Sequence, residues 1–444
     1  MSAHPSVLLR DFSKLVVLFA LTGCTGPNPP PPPPATINVS GTLLLVGNAP
    51  LVGAEVYLVD SAGSHGPVTS AAAGGFAFTD VSTPYTLSVV PPAASELAPS
   101  SWANLRIPNP KVVLSIESGG EPQTNCAPIT GRVAGFVNPP VGPTNTAQAF
   151  FISKALTEQA VAFAVDDRGP GAATYEILPL FDGTNCPTGA LGTLVFVERD
   201  GAGDIAAVAV VDGVFVDNDE TVSTALNISP APAQTATLSG TVTFPPGVDE
   251  ADIAAVMKLD DAYAIMEGTT VSSSAPDFNL KVPLIAGVHY RVLVSKIQLG
   301  SNLRWAWSDV VAAPAADMTL ALSEIGALTS PSGPTADSSP TFTYSEASST
   351  NLYSVLVIDD NTFAHLAMSD QTTVTIPPLP GPAQLSGDLA WALTGISARD
   401  ADSIDDLLDG RMIEGLYLST YAMNEPDRVR SGFVNVNFLN FSVP

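Results

Sequence analysis

Val39-Ser40-Gly41-Thr42 is the first of three related stretches in this chain; the others are Ile129-Thr130-Gly131-Arg132 and Leu238-Ser239-Gly240-Thr241. Each copy places an apolar residue, a hydroxyl residue and a glycine inside a run in which apolar residues alternate with others. Alternation with a period of two is typical of a strand with one buried face. The copies start 90 and 109 residues apart, a spacing that suits whole β-sandwich domains rather than short solenoid repeats.

A second alternating run closes each unit. These closing runs are Val112, Leu114 and Ile116, then Val222, Leu226 and Ile228, then Met318, Leu320 and Leu322. The 40 Pro and 35 Gly are interspersed with such runs, which indicates many short strands joined by tight turns. The sequence therefore predicts an all-β fold of tandem β-sandwich domains.

We predict three repeated domains, unit 1 (37–120), unit 2 (126–230) and unit 3 (235–324), followed by a C-terminal unit (330–444). The last begins after the break Ser330-Pro331-Ser332-Gly333-Pro334. Each domain is expected to bury its own core and to meet its neighbours through modest interfaces.

One short helical insertion is expected in the C-terminal unit. Between residues 398 and 415, Ile404, Leu407, Leu408 and Met412 recur at helical spacing. Elsewhere apolar residues alternate, so we expect little other helix.

Two regions resemble known β-sandwich families. Unit 1 carries, in order, segments 41–43, 50–58, 75–78 and 84–89, a series similar to the carboxypeptidase regulatory-like, or transthyretin-like, family. That resemblance implies an accessory fold without catalytic residues of its own. The C-terminal unit looks like a fibronectin type III-like or Ig-like sandwich, on segments 340–344, 353–357, 373–377 and 389–393.

Near the amino terminus, an apolar run over residues 15–21 is followed by a short motif, Leu21-Thr22-Gly23-Cys24. This stretch resembles the lipobox of bacterial lipoprotein signal peptides, which implies removal of residues 1–23 and lipidation of Cys24. The apolar run is too short to span a bilayer. Residues 24–36, with six consecutive prolines, would form a polyproline tether. Because Thr rather than Asp follows Cys24, the resemblance implies the outer membrane of a cell that has two membranes.

The net charge of −26 at pH 7 limits the partners of this chain. Such a field repels phosphate backbones and anionic lipid headgroups, so nucleic acid is a poor partner and polybasic membrane contact is absent. The expected partners are the membrane, through the lipid anchor, and an unidentified envelope protein or glycan.

Cys126 and Cys186 are the cysteines that remain once Cys24 is lipidated. In an oxidising compartment we expect them to form a disulfide within unit 2. Two free thiols, or half of a metal site, are the alternative.

No catalytic site is predicted. His65, His289 and His365 fall in three different units, and the chain lacks nucleophile-elbow, zinc-protease, P-loop and dinucleotide-binding motifs. We therefore expect a protein that is not an enzyme and needs no cofactor, with calcium as the one possible ion.

Asp217, Asp219 and Glu220 form the best calcium candidate among several acidic pairs, because calcium prefers oxygen-rich loops. The alternative is a solvated acidic surface, since no calcium-loop spacing is matched.

Trp305 and Trp307 would point to the same face of a strand. Exposed, the pair would form a platform on which sugar rings stack; buried, it would fill a sandwich core.

Two functions follow from these observations. The first is a non-enzymatic cell-envelope lipoprotein that displays tandem β-sandwiches for interaction, adhesion or spacing. The alternative is an accessory protein that binds extracellular polymer or glycan, in a calcium-dependent or independent way. An outright hydrolase is a third, weaker hypothesis.

Overall fold

In the computed structural model of the chain, the three repeated units share one arrangement of strands in two sheets. The structure describes residues 36–45, 49–95, 97–114, 131–153, 163–177, 189–217, 220–228, 233–259, 262–298, 302–335, 338–359, 362–399, 401–408, 427 and 429–444.

The strands of the repeated units are these. Unit 1 has β1 Thr36–Leu45, β2 Glu55–Asp60, β3 Gly63–Thr69, β4 Gly75–Ser82, β5 Tyr85–Val90, β6 Ser100–Leu105 and β7 Lys111–Leu114. Unit 2 has β8 Arg132–Asn138, β9 Thr146–Ser153, β10 Phe163–Arg168, β11 Thr174–Ile177, β12 Gly189–Arg199, β13 Ile205–Asp217, β14 Thr221–Ser223 and β15 Leu226–Asn227. Unit 3 has β16 Thr235–Thr243, β17 Glu250–Leu259, β18 Ala262–Ser272, β19 Asp277–Pro283, β20 His289–Gln298, β21 Asn302–Trp307 and β22 Ala315–Ala321.

The first strand of each repeated unit lies at the centre of a small sheet, which has three strands in units 1 and 3 and four in unit 2, where β15 also pairs with β8. The orders are β4-β1-β7, β11-β8-β14 and β19-β16-β22, and the central strand is always antiparallel to one neighbour and parallel to the closing strand. The second sheets are β3-β2-β5-β6, β10-β9-β12-β13 and β18-β17-β20-β21. The all-β fold and its repeated sandwich are thus confirmed.

The glycine of each repeated signature has a steric reason. A Cβ atom added to Gly41 would lie 2.6 Å from the carbonyl oxygen of Pro110, one added to Gly131 2.3 Å from that of Asp217, and one added to Gly240 2.0 Å from that of Met318. In each unit the backbone of another segment passes directly over the glycine, where no side chain fits. Val39 lies on β1 and Leu238 on β16, as predicted; Ile129 lies outside the described residues.

The C-terminal unit is a further sandwich. Its strands are β23 Leu328–Ser330, β24 Gly333–Pro334, β25 Thr341–Tyr344, β26 Leu352–Asp359, β27 Thr362–Ser369, β28 Thr373–Thr375, β29 Gly387–Ala398 and β30 Val429–Val443. One sheet is β23-β25-β28, and the other contains β27-β26-β29-β30, with β24 parallel to the end of β30. Trp391 and Phe433 lie in its core.

The helical insertion is present as α1 Ile404–Leu408, a single short helix. The Ser403 hydroxyl lies 3.3 Å from the Asp406 N–H, and the Asp406 carboxylate accepts a hydrogen bond from the Ser403 N–H at 3.1 Å. This reciprocal contact is a capping box, which fixes the start of the helix. The rest of the predicted insertion, including Met412, lies outside the described residues.

The prediction that each domain buries its own core is wrong: one apolar cluster joins units 1 and 3 to the C-terminal unit, and another joins β9 and β12 of unit 2 to unit 3. Strand β30 pairs antiparallel with β21 of unit 3, and β27 pairs parallel with β6 of unit 1. The result is one 13-stranded sheet in which the C-terminal unit lies between the other two. The domain boundaries drawn from the sequence stay predictions.

The shared sheet follows from strands that are apolar on both faces. On β26, Val355 packs into the core of the C-terminal unit, whereas Leu352 packs on the opposite face into a cluster shared with units 1 and 3. Leu407 and Leu408 of α1 cover part of that second face. A sheet that is apolar on both faces must be covered on both faces. Here the second face is covered by residues of units 1 and 3, whose strands continue the same sheet.

No helix among the described residues is long and apolar enough to cross a membrane.

Candidate functional site

Trp305 and Trp307 point to the same face of β21, as expected, but that face is buried. Their exposed fractions are 0% and 5%, and both pack in the apolar cluster that joins units 1 and 3 to the C-terminal unit. Of the two alternatives, the structure therefore shows the second: the pair fills a core and forms no exposed platform. The reason is that β21 is not an edge strand, since β20 and β30 flank it.

His365 takes part in a buried polar chain between unit 1 and the C-terminal unit. Its Nε2 lies 2.9 Å from the Ser101 hydroxyl oxygen, which lies 2.7 Å from the Ser88 hydroxyl oxygen. All three side chains are fully buried. The arrangement crosses the junction of β27 with β6 and β5.

This serine–histidine pair is not built for nucleophilic catalysis. Burial lowers the pKa of His365 from 6.5 to about 3, so the imidazole stays neutral. Its Nδ1 has no hydrogen-bond partner in the described part of the chain, so the carboxylate that orients a catalytic histidine is missing there. The pair also has no access to a substrate, because its atoms are enclosed between sheets.

The other two histidines are placed at hairpins and strand ends. The His65 Nε2 lies 3.1 Å from the buried Asp60 carboxylate, which also accepts hydrogen bonds from the N–H groups of Ala62 and Ser82. Although burial opposes ionisation, these hydrogen bonds hold the pKa of Asp60 below its usual value. His289 is exposed at the start of β20. The three histidines therefore remain on separate elements.

The calcium candidate is only partly described. Asp217 ends β13, and the Glu220 N–H lies 3.3 Å from the Asp217 carbonyl oxygen in a tight turn; Asp219 lies outside the described residues. Among those that are described, no three acidic, histidine or cysteine side chains converge as metal ligands. The candidate stays a prediction, as do the disulfide of Cys126 with Cys186 and the lipidation of Cys24, which all lie outside the described residues.

A charged cluster joins unit 3 to the C-terminal unit. The Asp427 carboxylate accepts a hydrogen bond from Lys258 Nζ at 2.6 Å and forms an ion pair with Arg291. Arg291 is only 4% exposed and also donates to the Ser308 carbonyl oxygen at 2.6 Å and to the Tyr263 hydroxyl at 3.2 Å.

Two further contacts hold these charges in place. Lys258 Nζ lies 4.9 Å from the centre of the Tyr263 ring, and the Arg291 guanidinium 5.8 Å from it. Burial disfavours the Asp427 carboxylate, but hydrogen bonds from Lys258, Tyr263 and Arg291 keep its pKa low. The charged groups of this cluster all have hydrogen-bond or ion-pair partners within the protein. The cluster therefore stabilises the contact between the two units rather than forming a binding site.

A groove of about 520 Å³ lies on the outer face of the C-terminal unit. Strands β24, β26, β29 and β30 form its floor. Its lining combines polar and apolar groups: Asp388, Asn440 and Ser442 with Ile358, Ala390 and Phe438. The Phe438 side chain is 47% exposed. This groove is a candidate ligand-binding feature of the described residues.

The sequence contained a signal for this groove that our reading missed. Phe433, Leu439 and Phe441 are odd-numbered residues of β30 and face the core. Phe438 is an even-numbered residue of the same strand, so alternation directs it to the other face. Two extra residues of β30 also interrupt its pairing with β29, between the partners of Trp391 and Leu393. A large aromatic residue out of phase beside such a bulge indicates an outward-facing site.

Comparisons with known proteins give no family. No family model matches the chain, and no curated protein matches it. Among solved structures, a leucine-rich repeat protein from Bacteroides thetaiotaomicron is 9% identical with a TM-score of 0.17, over 43% of this chain and 26% of that one. The major pilin subunit BcpA of Bacillus cereus is 10% identical with a TM-score of 0.14, over 65% and 99%.

A Ca²⁺-stabilised, ice-binding adhesin of an Antarctic bacterium is also similar, with 10% identity and a TM-score of 0.15, over 82% of this chain and 96% of that one. The chain thus spans about a quarter of the leucine-rich repeat protein and almost all of the other two. TM-scores this low do not establish a common topology, so the functional argument rests on the chain itself.

Proposed function

We propose that this chain is a non-enzymatic, lipid-anchored protein of the cell envelope, whose β-sandwiches form a scaffold for interaction, adhesion or spacing. The observation that carries the proposal is the continuous sheet, which joins units 1 and 3 through the C-terminal unit. Interfaces that are both strand-paired and apolar resist the relative motion expected of independently folded domains. A scaffold that holds its units in fixed positions benefits from such joints.

Two further observations support the proposal. The lipobox-like Leu21-Thr22-Gly23-Cys24 and the proline-rich tether would attach the scaffold to a membrane, in the outer membrane if the cell has two. The titratable groups around His365 and Asp427 contact other side chains of the protein, Ser101 and Arg291, and hold the units together. Calcium binding at Asp217, Asp219 and Glu220 and a disulfide in unit 2 belong to the same proposal as supports of an extracellular fold.

The anchor is tested by metabolic labelling. Radiolabelled palmitate should enter the full-length protein and should not enter Cys24→Ala, which should accumulate as precursor or be released from membranes. Cys126→Ala is the matched control, because it removes a cysteine without touching the lipobox-like stretch. Equal labelling of the wild type and Cys24→Ala would remove the lipoprotein proposal.

A further inference from the structure

The groove on the C-terminal unit has polar side chains that make no hydrogen bond to the described residues. Neither the Asp388 carboxylate nor the Asn440 amide hydrogen-bonds within the described part of the chain, and both side chains are exposed. Asp388 lies directly across from Ser442, and Ala390 directly across from Asn440, in the pairing of β29 with β30. These side chains therefore form one row over the face of the sheet.

Phe438 extends this row along β30. Because side chains on one face recur at every second residue, Phe438, Asn440 and Ser442 face the same side. Four residues of strand cover about 13 Å. The groove thus offers an aromatic ring at one end and hydrogen-bonding groups over the remaining length.

From this arrangement we propose that the groove binds a neutral oligosaccharide chain. The ring of Phe438 would stack on the apolar face of a sugar, as aromatic rings do on flat apolar surfaces. Asp388 accepts hydrogen bonds, while Asn440 and Ser442 both donate and accept them. Sugar hydroxyls also donate and accept, so they can satisfy the whole row.

Other classes of ligand fit the groove less well. An anionic polymer would be repelled by Asp388 and by the net charge of −26. An acyl chain would bury the Asp388 carboxylate without a partner, which is costly. A peptide adding as a strand at the centre of the groove would find the backbone groups of β29 already paired on both sides, with β26 and with β30. A cation would use Asp388 and the aromatic ring but leave the donor of Asn440 idle.

The proposal deepens the adhesion role within the proposed function, and it is tested by direct binding. The full chain, kept in detergent so that any anchor remains, would be titrated with cello-, chito-, malto- and xylohexaose by calorimetry. At least one hexasaccharide should bind. Phe438→Ala and Asp388→Ala should each weaken that binding about fivefold to tenfold, and Ala390→Trp, which fills the groove floor, should abolish it.

The matched control is Phe136→Ala, because Phe136 is 65% exposed on β8 of unit 2, away from the groove in sequence and sheet. Its affinity should equal that of the wild type, and circular dichroism should show every variant folded. No binding of any hexasaccharide, equal binding by all variants, or binding only of heparin, choline or oligolysine would overturn the proposal. A palmitate-labelled protein that binds none of these sugars would refute the groove while leaving the anchored scaffold intact.

Discussion

The C-terminal unit meets its two neighbours through junctions of different chemistry. At the junction with unit 1, three residue pairs of β27 and β6 run parallel, and the fully buried polar contacts are neutral, between Ser88, Ser101 and His365. A part-buried contact, from the Asn104 amide to the Asp370 carboxylate at 2.7 Å, lies beside them. At the junction with unit 3, five residue pairs of β30 and β21 run antiparallel, and the polar contacts include a charged cluster around Asp427 beside the neutral contact of Ser323 with Ser431.

The comparison shows that one continuous sheet can be stabilised at its junctions by two kinds of polar contact, neutral and charged. A neutral buried network needs no counter-ion but fails when one member is forced to charge. A charged cluster tolerates pH over a wide range but fails when one partner is deleted, because the other charges stay buried and unpaired. The two junctions should therefore respond to different perturbations.

The largest effect is expected at the charged junction. Asp427→Ala leaves buried Arg291 and half-buried Lys258 without their carboxylate. Breaking a buried ion pair by removing one partner costs about 3–5 kcal/mol. Because Asp427 is itself partly exposed, we expect the substitution to lower the free energy of unfolding by about 2–4 kcal/mol. Urea denaturation at pH 7 would measure it.

Asp309→Asn is the control for that experiment. Asp309 pairs with Arg399 near the same junction, but its side chain is largely exposed, so the change should cost less than about 1 kcal/mol. A loss for Asp427→Ala no larger than that of Asp309→Asn would contradict the role given to the charged cluster.

At the neutral junction the perturbation is acid. His365 has a pKa of about 3 in the folded protein against 6.5 when exposed. Between these values the unfolded chain binds more protons, so stability is lost as pH falls below about 6.5. From pH 7 to pH 4.5 this histidine alone should remove about 2–3 kcal/mol from the free energy of unfolding.

The matched variant is His365→Gln, which can still hydrogen-bond Ser101 but cannot take up a proton. It should be less stable than the wild type at pH 7, yet its stability should fall less steeply between pH 7 and pH 4.5. Asp427 adds little in this window, because its low pKa makes its contribution fade only below about pH 4. Parallel curves for the wild type and His365→Gln would refute the buried neutral imidazole.

The smallest effect is expected from an ion pair between units 2 and 3, which share an apolar cluster but no strand pairing in the described residues. Lys281 on β19 pairs with Asp204, and both side chains are about half exposed. A double-mutant cycle with Asp204→Ala and Lys281→Ala should give a coupling energy below about 0.5 kcal/mol. Coupling above about 1 kcal/mol would show that this contact, too, holds units together.

Much of the fold could be predicted from local sequence. The signature glycines, the alternating runs and the closing strands identified the repeated units, because each feature acts within one sandwich.

The junctions could not be predicted in this way. Ser101 and His365 are 264 residues apart, and the alternation of β27 gives no sign of which strand lies beside it. The same limit explains Trp305 and Trp307: their shared face was readable, but its burial depends on β30, which lies beyond the whole of the preceding C-terminal unit.

Hydrogen exchange of the backbone amides in β30 tests the central claim, a continuous sheet through the C-terminal unit, most directly. Residues 431–435 pair with β29 on one side and with β21 on the other. Their amides should exchange as slowly as those of the internal strand β26, and far more slowly than those of β3, at the outer edge of the same sheet. Exchange of residues 431–435 at the rate of β3 would show that the C-terminal unit and unit 3 are separate domains, and would contradict the account.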